Sequence, residues 1–434
     1  VTANGARFYV DHAHPEYSSP ECTNAWDAMV YDAAGDLILR RAAEAVNELT
    51  AQGTSVLTNH DPCPPLRFYK NNVDGKGASY GSHENYQYSR ETDFDDIAQG
   101  LIPFFVVRQV VTGAGRMGLG ADGEDAGFQI SQRADYIETE ISLETTLNRG
   151  IINTRDEPHA VAEDFGRLHV IIGDATMSHT STLLKLGMTA LVLDAIEDGV
   201  DFSDLRLAEP VAEVQRVSRD LTLTHELELV DGRRLTALDI LAAYRERVTA
   251  TSPAEEKVLD AWDEVVELLA EDPLKAAHLL DWVAKYRLIK GYLDRGAAAD
   301  DPRLALIDLQ YSDIDPDKSL YHALVRKGQM RTLVSDDELA RAADNPPSDT
   351  RAFLRGRATQ KFGEDVLAAS WQSLTFRIGP ENGAESGAAC VALDETTRLG
   401  EEDIGTLLDS AATAADFVDG LRRLGVAIEY PTLY

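Results

Sequence analysis

Cysteine is nearly absent from this chain: three in 434 residues, Cys22, Cys63 and Cys390, far apart and without a CxxC pair. That excludes a disulfide framework and a cysteine-based zinc site, and it points to a reducing cytoplasm. Positive charge is also scarce, with 41 Lys and Arg against 74 Asp and Glu, a formal net charge of −33. Such a surface repels nucleic-acid backbones and acidic membranes, so neither is expected as a partner. No apolar run is long enough to span a bilayer, and the opening VTANGARFYVDHAHPEYS lacks the basic and apolar character of an export signal. There is no P-loop, nucleophile elbow or GxGxxG after a strand, which removes the usual support for Walker-type, serine-hydrolase and dinucleotide-binding readings. The glycine-rich stretch Gly113 to Gly120 follows a helical segment and reads as a loop. Repeats and low-complexity tracts are absent too.

With 44% hydrophobic and 26% charged residues, the chain can bury a sizeable core and an accessory domain. Residues 6–10 (ARFYV) and 66–70 (LRFYK) read as strands, and Asp36 to Gln52 carries a helical stripe of Leu37, Leu39, Ala43, Val46 and Leu49. Phe94 to Val111 reads as a helix, and 127–135, 150–155 and 167–173 as strands. Ser181 to Asp198 is a buried helix opened by Ser and Thr, and helices are expected over 239–247, 253–271, 273–292 and 336–343. Beyond Trp371 short strands (SLTFRIG, ACVALDE) and a helix over 401–424 mark a small C-terminal domain, bridged by Gly379 to Gly387. The pattern is α+β.

Polar chemistry concentrates in three places. In YVDHAHPEYSSPE, Tyr9, Asp11, His12, His14, Glu16 and Glu21 surround a strand end. Alternation puts Tyr9 and Asp11 on one face, and oxygen ligands of this kind suit magnesium with phosphate, with Asp11 as nucleophile or base and Glu16 on the ion. In KNNVDGKGASYGSHENY, glycines allow close approach of backbone to a ligand, and His83 and Asn85 alternate out of a strand. The third set is basic: Arg133, Arg149, Arg155 and Arg167, with His169 alternating with Arg167. In so acidic a chain these read either as forks for phosphate or carboxylate, or as ion pairs with Asp135, Asp156, Glu157 or Asp174.

These three segments, with INTRDEPHA, RLHVIIGDATMS, DWVAKYRLIKGY, DLQYSDIDPDKSLYHALVRKGQ and PPSDTRAFLRGR, resemble the family of Pup ligases and depupylases, across essentially the whole chain. The resemblance implies a glutamine-synthetase-like α+β fold whose curved antiparallel sheet holds ATP and magnesium, with residues 1–365 as catalytic domain and 366–434 as small C-terminal domain. By the same resemblance Asp11 is the nucleophile or water-activating base with Tyr9 beside it, Glu16 and His83 serve the metal, and His83, Asn85, Arg133, Arg155 and His169 line the nucleotide and substrate cradle. Two activities occur in the family, joining Pup to lysine and removing it. DHAHPEYSSPE and GKGASYG are closer to the deamidase/depupylase wording. The resemblance then implies ATP, or ADP with phosphate, as a retained cofactor, and Pup, pupylated proteins and the proteasomal ATPase as partners. Ligation and catalytically idle Pup binding are the alternatives. The family opens with a GxExE-like strand and its depupylases carry a mobile insertion near the N-terminus; neither is in this sequence, so the native N-terminus is expected to precede Val1.

Overall fold

The computed structural model describes residues 1–11, 14–74, 76–379 and 387–431. In chain order the first elements are β1 (Arg7–Asp11), β2 (His14–Ser18), α1 (Ala25–Ala51), β3 (Glu84–Ser89), α2 (Phe94–Thr112), β4 (Arg116–Leu119) and β5 (Asp125–Gln129). They are followed by β6 (Thr139–Ser142), β7 (Gly150–Asn153), β8 (Phe165–Val170), α3 (His179–Glu197), α4 (Pro210–Arg219), β9 (Glu226–Glu228) and β10 (Arg234–Thr236). A helical run comes next: α5 (Ala237–Arg245), α6 (Pro253–Glu271), α7 (Asp281–Leu293), α8 (Pro302–Tyr311), α9 (Leu320–Arg326), α10 (Asp336–Asp344) and α11 (Ala352–Phe362). The chain closes with β11 (Val366–Ala369), β12 (Ser373–Arg377), β13 (Ala388–Ala392), α12 (Glu401–Ser410), α13 (Ala414–Arg423) and β14 (Ile428–Glu429). It divides into two compact units, one of Val1–Leu39, Pro158–Phe165 and Val334–Tyr434, the other of Arg40–Glu157 and Gly166–Leu333, with the division falling inside α1.

In the larger unit the sheet order is β3-β8-β7-β6, with β7 and β8 antiparallel and β6 and β7 parallel. Behind it lies α2, buried at every residue from Gly100 to Thr112 and packed against α3, α4 and α5. A helix without a polar face is stable only where neighbours cover it on all sides. One face of β3 turns to these helices through Glu84 and Tyr88, while Asn85 and Gln87 on the other face are exposed. Glu84 and Arg108 of α2 form a buried bidentate pair at 2.5 and 2.8 Å, and Arg108 also donates to Thr189 Oγ1 and the Lys185 carbonyl of α3. Tyr86 donates its hydroxyl to the same carboxylate at 2.5 Å. A Cβ at Gly173 would lie 2.3 Å from Glu84 Oε1 and 3.1 Å from Arg108 Nη2, so only glycine leaves room for the pair.

In the smaller unit β1 and β2 pair antiparallel, Tyr9 opposite Glu16 and Asp11 opposite His14. Tyr17, on the other face of that hairpin, meets α1 at Gly35, where a Cβ would collide with the ring. Glu21 is held by Arg351 and Arg355, which keep its carboxyl below the usual range although burial alone would raise it. The β11-β12-β13-β14 sheet, with α11, α12 and α13, encloses a core around Leu374, Phe376, Val391, Phe417 and Leu421.

Local chemistry explains where elements depart from the sequence pattern. Residues 66–70 are not a strand: their pairing is confined to one bridge, Tyr69 opposite Asp313, flanked by the Lys70 amide donating to the Ser312 carbonyl and the Ile314 amide donating to that of Phe68. The expected strand over 127–135 stops at Gln129, because the buried Asp174 carboxylate takes the amides of Gln132 and Arg133 out of the ladder. Part of the expected loop 113–120 pairs as β4 with β5. The expected helix 401–424 is two, because Thr413 and Asp416 form a capping box that restarts it. Bridge residues 380–386 and candidate His12 lie outside the described residues.

Replacing Arg108 by Met leaves the Glu84 carboxylate buried and unpaired, and is expected to lower unfolding free energy by about 3–5 kcal/mol. Glu84→Gln combined with Arg108→Met should recover much of that loss. Denaturant midpoints of the two variants check this; equal losses would assign the cost to packing rather than to the uncompensated charge.

Candidate functional site

The hairpin of the smaller unit sorts its side chains by alternation. Arg7, Tyr9 and Asp11 of β1 share a face with Ser18, Glu16 and His14 of β2. Tyr9 and Asp11 are exposed, and the Tyr9 hydroxyl lies 3.2 Å from Ser18 Oγ. Burial and the carboxylates of Glu16 and Asp11 push the Tyr9 phenol up, so it stays protonated and can donate a hydrogen bond. The face therefore offers two carboxylates, a phenol and an imidazole. Glu21, part of the same sequence cluster, is spent on its two arginines.

The larger unit offers a face of different character. Asn85 and Gln87 stand on the exposed side of β3, His83 immediately precedes the strand and is exposed too, and its ring meets His169 of β8 edge-on at 4.9 Å between centroids. Arg167 and His169 share that face of β8 by alternation. Asn153 of β7 is paired with His169 in register, and its Oδ1 lies 3.1 Å from His169 Nδ1. The amide of Asn153 is oriented by two other bonds: Oδ1 accepts from the Arg155 amide and Nδ2 donates to the Glu144 carbonyl. Oδ1 is thus an acceptor, Nδ1 of His169 carries the hydrogen, and Nε2 keeps its lone pair for an incoming donor or cation. Burial, then His83, Arg167 and Arg155, push the His169 pKa down to about 3, so the ring is neutral.

The arginines divide. Arg133 is buried, and its Nε and Nη2 donate to the Ile171 carbonyl while Nη1 donates to Ser79 Oγ at 2.6 Å and the Tyr80 carbonyl. It ties the glycine-rich segment to the end of β8, and burial beside Arg149 lowers its pKa to about 10. That segment is a hairpin braced by Asn72, which bonds Gln132, Tyr80 and Ala175, and by Asp74, whose carboxylate takes the amides of Lys76 and Ala78. Arg149 donates Nε to the Thr145 carbonyl. Arg155 has half its side chain exposed and lies 3.6 Å from Glu157.

Sequence reasoning missed Asn153, Glu84 and Arg108, and named Asp174 only as an ion-pair partner for an arginine. A lone amide ending the apolar strand GIIN was the available signal for Asn153. No local pattern marks the other three, because their partners lie 24 or more residues away in the chain.

The neutral state of His169 ties folding to pH. The unfolded imidazole titrates near 6.5 and the folded one near 3, so below pH 6.5 the unfolded chain binds a proton that the folded chain does not. The stabilisation is complete above pH 6.5 and is lost as pH falls, by up to about 1.4 kcal/mol per unit. His169→Gln should flatten the fall in unfolding midpoint between pH 7 and 5, and NMR should show the wild-type ring still neutral at pH 5. A ring titrating near its ordinary value would refute the assignment.

The Pup-ligase protein family model matches residues 1–375. The Pup deamidase/depupylase of Mycolicibacterium smegmatis is 50% identical over 428 residues, 97% of this chain and 83% of that protein. The Pup–protein ligase of Xylanimonas cellulosilytica is 41% identical over 381 residues, 83% of this chain and 81% of the ligase. Solved structures of the Pup ligase PafA superpose with a TM-score of 0.80 at 33% identity: a complex with ADP, covering 94% of this chain and 88% of the ligase, and a complex with Pup, covering 97% and 86%. The α+β fold of this chain is therefore the glutamine-synthetase-like fold of those enzymes, and the chain belongs to the Pup-ligase family.

Proposed function

We propose that this chain is a nucleotide-dependent amide hydrolase that deamidates the C-terminal glutamine of Pup and cleaves the isopeptide bond between Pup and lysine. The 50% identity to a Pup deamidase/depupylase over 97% of the chain carries this reading. Nucleotide and Pup binding are supported by the ADP and Pup complexes of the related ligase. The proteasomal ATPase is a further partner in this reading. A cytoplasmic location is consistent with three free thiols, and among the described residues no helix is long and apolar enough to cross a membrane. In this reading residues 1–365 are the catalytic domain and 366–434 a small C-terminal domain of β11 to β14, α12 and α13, whose core also takes in Phe353, Leu354, Ala358 and Phe362 of α11.

In this reading Asp11 acts on the terminal side-chain carbonyl of Pup. As nucleophile, its carboxylate adds to the carbonyl carbon, and collapse expels ammonia or the lysine amine, which takes up a proton; water then opens the anhydride and restores the carboxylate. As base, Asp11 takes a proton from the attacking water. Tyr9, held protonated, can donate to an oxygen that gains charge on the same hairpin face. His83, Asn85, Arg155 and neutral His169 bind and orient nucleotide or substrate, and Arg133 holds the glycine-rich hairpin in place.

Magnesium fits the hairpin donor set, since it is commonly held by one or two carboxylates together with waters and phosphate oxygens. Among the described residues no three ligating side chains form a cage. Glu16 is the residue that would hold the ion there, and His83 is the nitrogen donor on the sheet face. The ion would supply positive charge to phosphate or carbonyl oxygen.

Incubating the chain with Pup ending in glutamine, with and without ATP and magnesium, should convert the terminal amide to the acid, followed by mass spectrometry. Phosphate release should not keep step with conversion. Attachment of glutamate-ended Pup to lysines, with matching nucleotide hydrolysis, would move the reading to a ligase, and Pup binding without any mass change to an idle binder. Asp11→Asn should reduce turnover by at least about a thousandfold while nucleotide affinity is unchanged; retained turnover would sink its role.

A further inference from the structure

Four arginines of the larger unit were candidates for binding an anion, and their hydrogen bonds separate them. Arg133 is saturated by backbone and Ser79, Arg149 is engaged with the Thr145 carbonyl, and Arg155 is half exposed beside Glu157. Arg167 differs. Its side chain is only 16% exposed, and its Nε is buried with no hydrogen-bond partner among the described residues. Its remaining contacts are long: Nη2 lies 3.4 Å from the Arg155 carbonyl and 3.8 Å from Glu157, itself an exposed carboxylate.

A buried guanidinium N–H without an acceptor is costly, and such groups in folded proteins call for an explanation. The backbone around Arg167 is fixed: its amide donates to Asp156 Oδ1 at 3.0 Å, and Asp156 is clamped by Arg90 at 2.5 Å. The side chain stands on the polar face with His169, His83 and Asn85, on a central strand of the sheet. The Glu157 contact is solvent-exposed at one end, the kind of pair that contributes little and yields readily to a better acceptor.

We infer that Arg167 is the oxyanion-binding fork of this sheet face, with Nε and one Nη closing on two oxygens of a phosphate or carboxylate. The inference rests on the proposed function, in which two sources bring such a group: a nucleotide phosphate and the terminal carboxylate of Pup. Bidentate geometry is what arginine provides and lysine does not.

The test compares wild type with Arg167→Lys and Arg167→Gln. Affinity for a fluorescent ATP analogue is measured without Pup, and KM and kcat are measured for Pup ending in glutamine; thermal midpoints report folding. Loss of the fork should weaken one ligand about tenfold or more while the other and kcat change little. Weakened nucleotide assigns the fork to phosphate; a raised KM for Pup with nucleotide unchanged assigns it to the carboxylate. Unchanged affinities in a folded variant overturn the inference. A wild type that binds nucleotide but leaves Pup untouched would refute the proposed function instead, and the nucleotide titration alone would then decide Arg167.

Discussion

The polar sheet face exists because the opposite face is anchored by one buried ion pair. Glu84 is the first residue of β3, and its carboxylate meets both terminal nitrogens of Arg108 in the middle of α2. Two charges removed from water gain from each other only when their remaining hydrogen-bonding capacity is also used. Here Tyr86, Thr189 and the Lys185 carbonyl complete it. The pair joins β3, α2 and α3 at one point, and alternation then sends His83 and Asn85 to the other side. Gly173 is the steric condition for the arrangement.

Each unit presents chemistry of one dominant sign. The hairpin face carries Asp11 and Glu16, oxygen donors suited to a hard cation and to acid–base or nucleophilic work. The sheet face carries Arg155 and Arg167, cations suited to oxyanions, beside two imidazoles, of which His169 keeps Nε2 as an acceptor. Even in a chain of net charge −33, not every arginine near this face stays available to an anion. Arg133 shows how: three nitrogens bound to carbonyls and a hydroxyl turn a cation into a brace for a glycine-rich hairpin.

Much of this was legible in the sequence. Alternation placed Tyr9 with Asp11 and His83 with Asn85, the continuous apolar run of α3 declared a buried helix, and α2 was legible as a helix. Where reading failed, a distant partner was the cause. Asp174 ends β5 early by taking the amides of Gln132 and Arg133, and residues 66–70, whose side chains favour a strand, pair only briefly with 312–314, more than 240 residues on. The capping box at Thr413 was readable, but it was overrun by the longer periodicity around it.

What the sequence determined by itself is whatever depends on neighbours along the chain: which residues share a strand face, which helices lack a polar side, and the residue wording that marks the family. Only the tertiary structure decided which polar groups are spent and which remain available. Arg133 and Arg167 look alike in sequence, yet one is closed by carbonyls 38 and 53 residues away while the other keeps a buried N–H without an acceptor among the described residues. Hydrogen-bond satisfaction is a property of surroundings assembled from distant segments, and so it is settled only when the chain has folded.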